Sequence, residues 1–467
     1  MKEKLSNKTL ILLMFILAIS ISIILSFYNP WIVISGLLYF AILILAVIFP
    51  IQVNTVILST WFVFKGILMS IDIFGIPASQ LIIFAIFLPL VISIIIRGKY
   101  LFRRAVVNKN IQIYSIMVVF SAIGVLTAPV KMSAFVLYLR LFIGLLYLLL
   151  FSKGVKNSNE QGFIINGISV TAFISSIITI IGFIAGTLFS KGTLGNIQVA
   201  TLYYGGVYRP TGTAGGAVAQ GILLYTFYII ILLKNNIKSK KNNSLLLVIV
   251  AIAILSTLTR TAILALIVST IIYYFIYLRR KKNNLIKSLI FLIIIVVIYI
   301  SLPVEIINII SKRFVDFQGQ NTEDFGAGRF GIWIAVFKGI MNNANIFSIL
   351  NGFGIDSARY FVANYSIFGT EDATHNDYLD MFISNGIIGL IIMILWLINI
   401  IKNIKLISND KIKKLMYSQL ITYIFVILPL SNTNYSTESR WSFLILISIL
   451  TNYIQYTNIA EKLDKNL

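Results

Sequence analysis

The sequence predicts an all-α integral membrane protein, a polytopic bundle of about 12–14 transmembrane helices with one large extracytoplasmic loop that carries short helices. Its composition is 58% hydrophobic and 12% charged, with a mean hydropathy of +0.94. A soluble domain is nearer ~45–50% apolar and ~25% charged. The apolar residues also cluster into long runs, most of which approach the ~20 residues that a helix needs to cross a bilayer. We therefore expect residues 1–467 to form a single polytopic membrane domain.

Each predicted span is an apolar run bounded by polar or charged residues. In chain order the runs lie near 8–27, 32–49, 54–72, 79–96, 112–129, 133–152, 163–187, 215–233, 244–258, 261–278, 285–303, 381–401, 415–430 and 441–457. The third and ninth runs are the weakest. The first run has no small-residue cleavage site and is followed by further spans, so it predicts a first transmembrane helix rather than a removed signal peptide.

The distribution of basic residues predicts the orientation of these spans. The net charge is +22, and 26 of the 38 lysines and arginines lie in alternate connections and in the two tails. By the positive-inside rule these segments are cytoplasmic, which places both termini in the cytoplasm. The basic charge therefore orients the chain in the cytoplasmic membrane of a bacterium, and we expect no nucleic-acid partner.

Two extracytoplasmic loops follow from this orientation. The large loop, 304–380, contains nine of the sixteen acidic residues, and a second loop, 188–214, is rich in Gly and Tyr. In the large loop, aromatic and apolar residues recur at helical spacing from Phe330 to Met341. This pattern predicts an amphipathic helix that either lies along the membrane interface or packs on the bundle. The Asn-Gly-Phe-Gly sequence at 351–354 is typical of a turn, and a second short helix is expected from Asp356 to Tyr365.

His375 is the only histidine in the chain, and it lies among carboxylates at the end of the large loop. A single imidazole beside the membrane is suited to accept a proton near neutral pH. The chain has no cysteine and no Asp-x-Asp sequence, so a catalytic metal is not expected, and neither is another cofactor. Asp372 or Asp377 is a candidate to orient the histidine ring.

Three arginines are predicted to face outward with this histidine: Arg209, Arg260 and Arg329. A guanidinium can bind phosphate oxygens through two parallel hydrogen bonds. Each arginine also has a structural interpretation. Arg260 is then a helix-end residue, Arg329 pairs with a nearby acid, and Arg209 belongs to a structural turn. Trp333 is a candidate for sugar stacking, although a tryptophan in such a stripe more often serves packing.

Four short sequences resemble the core of the O-antigen polymerase and ligase superfamily. They are Gly-Arg-Phe-Gly-Ile-Trp at 328–333, Gly-Phe-Gly at 352–354, His-Asn-Asp-Tyr-Leu at 375–379 and Asn-Gly-Ile-Ile-Gly at 385–389. The resemblance is specific over roughly 326–400 and weaker elsewhere. It implies transfer of a glycan from undecaprenyl diphosphate to an acceptor at the outer face of the cytoplasmic membrane.

The resemblance also assigns roles to residues. It places the functional set on Arg260, Arg329 and His375, and makes the Arg-Pro-Thr-Gly-Thr sequence around Arg209 a further family element. The substrate-binding candidates are Arg209, Asp372, Asp377, Asn376, Tyr378 and Trp333. Partners implied are the lipid-linked glycan donor and acceptor, the lipid bilayer, and flippase and chain-length regulator proteins.

Three activities remain open from the sequence. The Lys-, Ile- and Asn-rich composition is typical of a Gram-positive bacterium, which favours a capsular or exopolysaccharide repeat-unit polymerase over a ligase that acts on lipid A. Ligase-type transfer of a finished glycan to another acceptor is the alternative. A flippase or other transporter is the third; it predicts an aqueous cavity lined by Lys65 and Arg140, the two basic residues within predicted spans.

Overall fold

The computed structural model describes the part of the chain from which the candidate site is built. The described residues are 44, 48, 72–73, 76–77, 88–95, 109–154, 158–194, 197–198, 200–203, 207–214, 216–237, 244–273, 329–366, 374–407, 409–431 and 443–450. Most of them are helical, which confirms the expected all-α class.

The helices of the described part follow the order of the predicted spans. They are α1 (Lys109–Thr127), α2 (Lys131–Gly154), α3 (Ser158–Phe189), α4 (Ala217–Ile237), α5 (Ser244–Ser256), α6 (Arg260–Tyr273), α7 (Arg329–Asn343), α8 (Ile346–Asn351), α9 (Ser357–Tyr365), α10 (Asp377–Ile404), α11 (Asp410–Thr422), a π-helical turn (Tyr423–Ile427) and α12 (Leu428–Leu430). Residues 88–95 and 443–450 are also helical.

Five of these helices, α1, α2, α3, α4 and α10, are long and apolar enough to cross a membrane. Helices α5 and α6 are shorter, with 13 and 14 residues. They form a helical hairpin whose tight turn is the polar break that the sequence shows at 257–259. The predicted spans 8–27, 32–49, 54–72 and 285–303 lie outside the described residues, apart from residues 44, 48 and 72, so the number of spans stays a prediction.

Short antiparallel strand pairs occur among the helices. They are β1 (Asp72–Ile73) with β2 (Ile76–Pro77), β3 (Thr193–Leu194) with β4 (Ile197–Gln198), and β5 (Ala200–Tyr203) with β6 (Val207–Pro210). The last two pairs occupy the predicted loop 188–214, which was expected only as a Gly- and Tyr-rich connection. In the β5–β6 pair, Thr201 lies opposite Arg209. Strand β6 packs on α3, so this loop is held against the bundle.

Helix α4 runs through the centre of the main core. Its residues Leu223, Leu224, Tyr225 and Phe227 are completely buried, and α3, α5, α6 and α11 pack around it. A helix that is apolar on all sides is expected in such a central position. Helix α10 packs mainly on α1 and α8, and less extensively on α11 and α12.

A glycine-bearing segment, Gly352–Ile355, fits between α1 and α10. The Phe353 N–H donates to the Ile383 carbonyl of α10 (2.7 Å), and the Ile355 N–H donates to the Gly124 carbonyl of α1 (2.9 Å). Gly354 has φ +107°, and a Cβ there would lie 2.4 Å from the backbone nitrogen of Ala128. Only glycine allows this conformation and this approach. The turn predicted at 351–354 is therefore confirmed, and it fixes the large loop to two spans.

Helices α7 and α9 pack on each other, and α8 and α9 pack on α10. The expected helix at Asp356–Tyr365 is present as α9. Helix α7 is also present, but the buried residues on its face are Gly331, Ile332, Ala335, Val336 and Gly339. The predicted stripe mostly lies elsewhere, since Phe330, Phe337 and Met341 are exposed.

Candidate functional site

His375 lies in a tight turn immediately before α10. Its φ is +54°, a left-handed conformation that is uncommon for a residue other than glycine. The next residue, Asn376, is the N-cap, and its Oδ1 accepts hydrogen bonds from the Tyr378 and Leu379 N–H groups (both 3.1 Å). Asparagine is among the preferred N-cap residues. The cap thus fixes the start of α10 one residue after the histidine.

The Thr374 hydroxyl closes this turn from the other side. It donates to Oδ1 of Asp380 (2.6 Å) and accepts from the Asn376 N–H (3.1 Å). Thr374 and Asp380 are both fully buried. The two residues flanking His375 are therefore both held in place, and the left-handed backbone of the histidine is fixed by its neighbours.

Trp333 connects this turn to the helix that carries Arg329. Its indole Nε1–H donates to the carbonyl of Thr374 at 2.8 Å. Arg329 is the first residue of α7, one helical turn before the tryptophan. Two of the sequence elements that the resemblance singled out, 328–333 and 375–379, are thus joined by a direct hydrogen bond.

Arg209 lies beside the turn that precedes Arg260. The guanidinium is buried; its Nε–H donates to the Thr257 carbonyl (3.3 Å), and an Nη2–H donates to the Thr259 hydroxyl (3.0 Å). The Thr259 hydroxyl donates in turn to the Ala217 carbonyl at the start of α4 (2.7 Å). Leu258, between the two threonines, has φ +51°. Arg209 therefore stabilises a strained turn whose next residue is Arg260, the first residue of α6.

The helices that follow Arg260 and His375 both bind the same end of the α11–α12 segment. The Thr261 hydroxyl of α6 donates to the Leu430 carbonyl (3.1 Å), and the Tyr378 hydroxyl of α10 donates to the Ile424 carbonyl (2.9 Å). Residue 429 is proline, which has no N–H. In the i→i+5 pattern of a π-helix, Ile424 would accept from residue 429, so its carbonyl is available to Tyr378.

Of the predicted site residues, Trp333, Asn376, Tyr378 and Arg209 thus have structural hydrogen bonds. Asp377 is fully buried in the first turn of α10, and Asp372 lies outside the described residues. Contact of any of these side chains with substrate stays a prediction, as does the catalytic assignment of Arg260, Arg329 and His375.

Sequence reasoning missed Thr374 and Asp380. Acidic residues are favoured in the first turn of a helix because they interact with the positive end of its dipole. An N-cap at Asn376 followed by acids at 377 and 380 was therefore a usable signal for the helix start. The pairing of Thr374 with Asp380 depends on the left-handed residue between them, and the sequence gives no local signal for that conformation.

A second missed cluster lies at Asp356, the N-cap of α9. Its carboxylate accepts a hydrogen bond from the Ser133 hydroxyl at the start of α2 and pairs with Arg359 at 3.5 Å. Asp356 itself has φ +70°. This cluster attaches α9 to the α1–α2 connection and places one more arginine on the same side of the bundle.

Among the described residues, no group of three or more histidine and acidic side chains is arranged to hold a metal ion. The described part of the candidate site contains cations, one imidazole, buried carboxyl groups and the hydrogen bonds that position them. Such a set can bind a polyanion and accept a proton.

A comparison with protein families matched the part of the chain that contains most of these residues. Residues 245–394 match the model of the O-antigen ligase family. A search of curated proteins found no match to the chain. The matched segment includes Arg260, Arg329, His375 and the buried pair Thr374–Asp380, whereas Arg209 precedes it. Residues 245–394 thus match the O-antigen ligase family, and this match supports the resemblance of the chain to the O-antigen polymerase and ligase superfamily.

Proposed function

We propose that this protein polymerises undecaprenyl-diphosphate-linked oligosaccharide repeat units into a capsular or exopolysaccharide, by metal-independent glycosyl transfer at the outer face of the bacterial cytoplasmic membrane. The family match supports transfer of lipid-linked glycans in general. The choice of a polymerase rather than a ligase rests, in addition, on the Gram-positive character of the composition. In this proposal both termini are cytoplasmic, and flippase and chain-length regulator proteins act with the enzyme.

The observation that carries the proposal is the 2.8 Å hydrogen bond from Trp333 to the Thr374 carbonyl. It joins the helix that begins with Arg329 to the turn that contains His375. A cation for the diphosphate and a base for the acceptor are thereby attached to one another. The fully buried Thr374–Asp380 pair makes this attachment rigid.

The proposed reaction is a direct displacement. The acceptor hydroxyl of one lipid-linked repeat forms a bond to the anomeric carbon of the growing chain, and the bond from that carbon to the diphosphate oxygen breaks. His375 accepts the proton of the hydroxyl, and the electron pair leaves with undecaprenyl diphosphate. A positioned base typically contributes ~10²–10⁴-fold to such a step.

The arginines stabilise the charge that develops on the leaving diphosphate. Arg260 and Arg329 are the proposed contacts, because each is the first residue of a helix. The backbone N–H groups at a helix N-terminus also favour an anion. The sequence also predicts Arg209 as a diphosphate contact. Its bonds to Thr257 and Thr259 support a positioning role on Arg260 instead.

Two alternatives use the same fold differently. A ligase would move a finished glycan to a separate acceptor with the same chemistry. A transporter would need an aqueous cavity at Lys65 and Arg140. Of these two residues, only Arg140 belongs to the described part, where it is half-buried in α2.

The test is a gel profile of lipid-linked glycans from cells that lack the protein, complemented with wild type, His375→Ala or Asn364→Ala. Asn364 is exposed on α9 and serves as the control. Single repeats that accumulate in the deletion strain, with a ladder restored by wild type and Asn364→Ala only, are the expected result. Long lipid-linked chains in the deletion strain would indicate a ligase, and repeats confined to the cytoplasmic face would indicate a transporter. A folded, membrane-inserted His375→Ala protein that makes a full ladder would exclude the histidine as base.

A further inference from the structure

The exposed surface where α7 ends and α8 begins (residues 341–350, the α7–α8 junction) is unusually apolar for a loop. Met341 and Ile346 are each 80% exposed, and Phe347 and Leu350 are also exposed. Asn342, Asn343 and Asn345, between the apolar positions, are exposed as well. This mixture of apolar side chains and amides is typical of a segment at a boundary between water and lipid.

The depth of the α7–α8 junction follows from its contacts with α10. Gly386 has non-helical backbone angles (φ +64°, ψ −168°) that divide this 28-residue segment, and the part after it, Ile387–Ile404, extends about 27 Å at 1.5 Å per residue. The hydrocarbon core of a bilayer is ~30 Å thick, so this part nearly spans it. The polar first turn, with Asp377 and Asp380, therefore extends beyond the core, and the apolar part begins near Met381.

Helix α8 contacts α10 within the first turns of this apolar part. A Cβ on Gly386 would lie 2.2 Å from the Leu350 carbonyl oxygen, and Phe353 is hydrogen-bonded to Ile383. The backbone of α8 is thus at the level where α10 passes from the polar to the apolar environment.

Helix α1, which packs on α10, ends at this same depth and also has an exposed apolar surface there. Ile355 is hydrogen-bonded to Gly124 near the end of α1. Beyond that point Leu126 (76%) and Met132 (74%) are exposed. The apolar surface of α8 therefore lies at the same level as the exposed apolar ends of α1 and α2.

We propose that the α7–α8 junction is immersed in the membrane interface, with Met341, Ile346, Phe347 and Leu350 among the upper acyl chains of the bilayer lipids. The sequence left open whether α7 packs on the bundle or lies along the interface. The buried face of α7 packs on α9, and Phe337 and Met341 remain exposed for the lipid. The junction then holds α7 at the depth of the lipid headgroups.

The chain contains no cysteine, so a single introduced cysteine carries a unique label. Ile346→Cys and Phe347→Cys are labelled with bimane in vesicles of phosphatidylcholine and phosphatidylglycerol. Asn364→Cys, on the exposed side of α9, is the water control, and Leu395→Cys, exposed in the middle of α10, is the lipid control. All four positions tolerate a label, since each side chain is exposed.

We expect a lipid with a nitroxide near the top of its acyl chain to quench the labels at 346 and 347 several-fold more than the label at 364. A water-soluble quencher should show the reverse order. Quenching at 346 and 347 by the water-soluble agent, to the level of position 364, would mean a solvent-exposed lid and overturn the proposal. Protection from both quenchers would mean that protein covers the α7–α8 junction, and would also overturn the proposal. The measurement contains no glycan, so its result is independent of the proposed function.

Discussion

Replacement of Thr374 by valine, a side chain of nearly the same volume, should release the turn that holds His375. The variant loses the 2.6 Å hydrogen bond to Asp380 and leaves the Asn376 N–H without its acceptor. A hydrogen bond of this kind contributes about 1–3 kcal/mol, and the left-handed conformation of His375 costs ~1–2 kcal/mol. The two quantities are similar, so the native turn loses the interaction that offsets its strain. We expect its population relative to relaxed conformations to fall about 5- to 150-fold.

Because His375 is the only histidine in the chain, selective histidine labelling gives an NMR spectrum with one imidazole system. The wild-type protein in nanodiscs should show a single set of resonances, and Thr374→Val should broaden or split it. Thr374→Ser keeps the hydroxyl and should restore the wild-type spectrum. Thr270→Val is the matched control, because the Thr270 hydroxyl only bonds back to Leu266 on an exposed part of α6.

Glycan ladders from the same variants give the second readout. Thr374→Val should reduce polymer formation at least tenfold, with Thr374→Ser and Thr270→Val near wild type. If Thr374→Val gives the wild-type imidazole spectrum and a full ladder, the threonine does not position the histidine. An altered spectrum with a full ladder would instead count against His375 as the base.

Three further predictions concern the supports of the site. Gly354→Ala should destabilise the protein by about 2–4 kcal/mol, because of positive-φ strain and backbone overlap. Gly216→Ala should be tolerated, because nothing lies within 4 Å of its added Cβ. Thermal unfolding in detergent compares the two variants, and equal unfolding midpoints would refute the close packing at Gly354. Arg209→Lys should lower activity severalfold with normal membrane insertion, since an ammonium cannot reproduce the forked contact with the α5–α6 turn; a full glycan ladder would contradict this role. Trp333→Phe retains an aromatic ring and removes the N–H that donates to the Thr374 carbonyl, so it should alter the NMR spectrum of the single imidazole. An unchanged spectrum would show that the indole serves packing alone.

The helices of the described part were largely predictable, because hydrophobicity along the sequence is a local property of the chain. The spans predicted at 112–129, 133–152, 163–187 and 215–233 correspond to α1–α4 within a few residues. The sequence motifs also located the starts of α7 and α10, the helices next to Arg329 and His375. The hydrophobic pattern of the sequence does not show which face of each helix packs on its neighbours.

Helix α7 illustrates that limit. It is apolar around most of its circumference, so the stripe from Phe330 to Met341 was the most conspicuous sequence pattern. The buried face instead uses small residues, and a Cβ on Gly339 would lie 2.4 Å from the ring of Phe361. Small residues let two helices approach closely, a property of the pair that a single helix does not reveal.

The polar contacts of the site were not predictable for a related reason. Trp333 bonds a residue 41 positions away, and Arg209 bonds residues 48 and 50 positions away. The sequence identified the cations and the imidazole as chemical groups. It did not show that a tryptophan, a threonine and a buried aspartate hold them, since those contacts exist only after the spans assemble.

The segment around Pro429 explains how the two halves of the site are kept in register. A proline within an apolar span removes one backbone donor, and the π-helical turn before it determines which carbonyl becomes available. Tyr378, three residues after His375, bonds that carbonyl, at Ile424, while Thr261, next to Arg260, bonds the carbonyl of Leu430 at the end of the same segment. The helices of the predicted cation and the predicted base therefore share one backbone support. A displacement of this segment would move both helices together, so the site depends on the packing of the bundle as much as on the loop that carries its motifs.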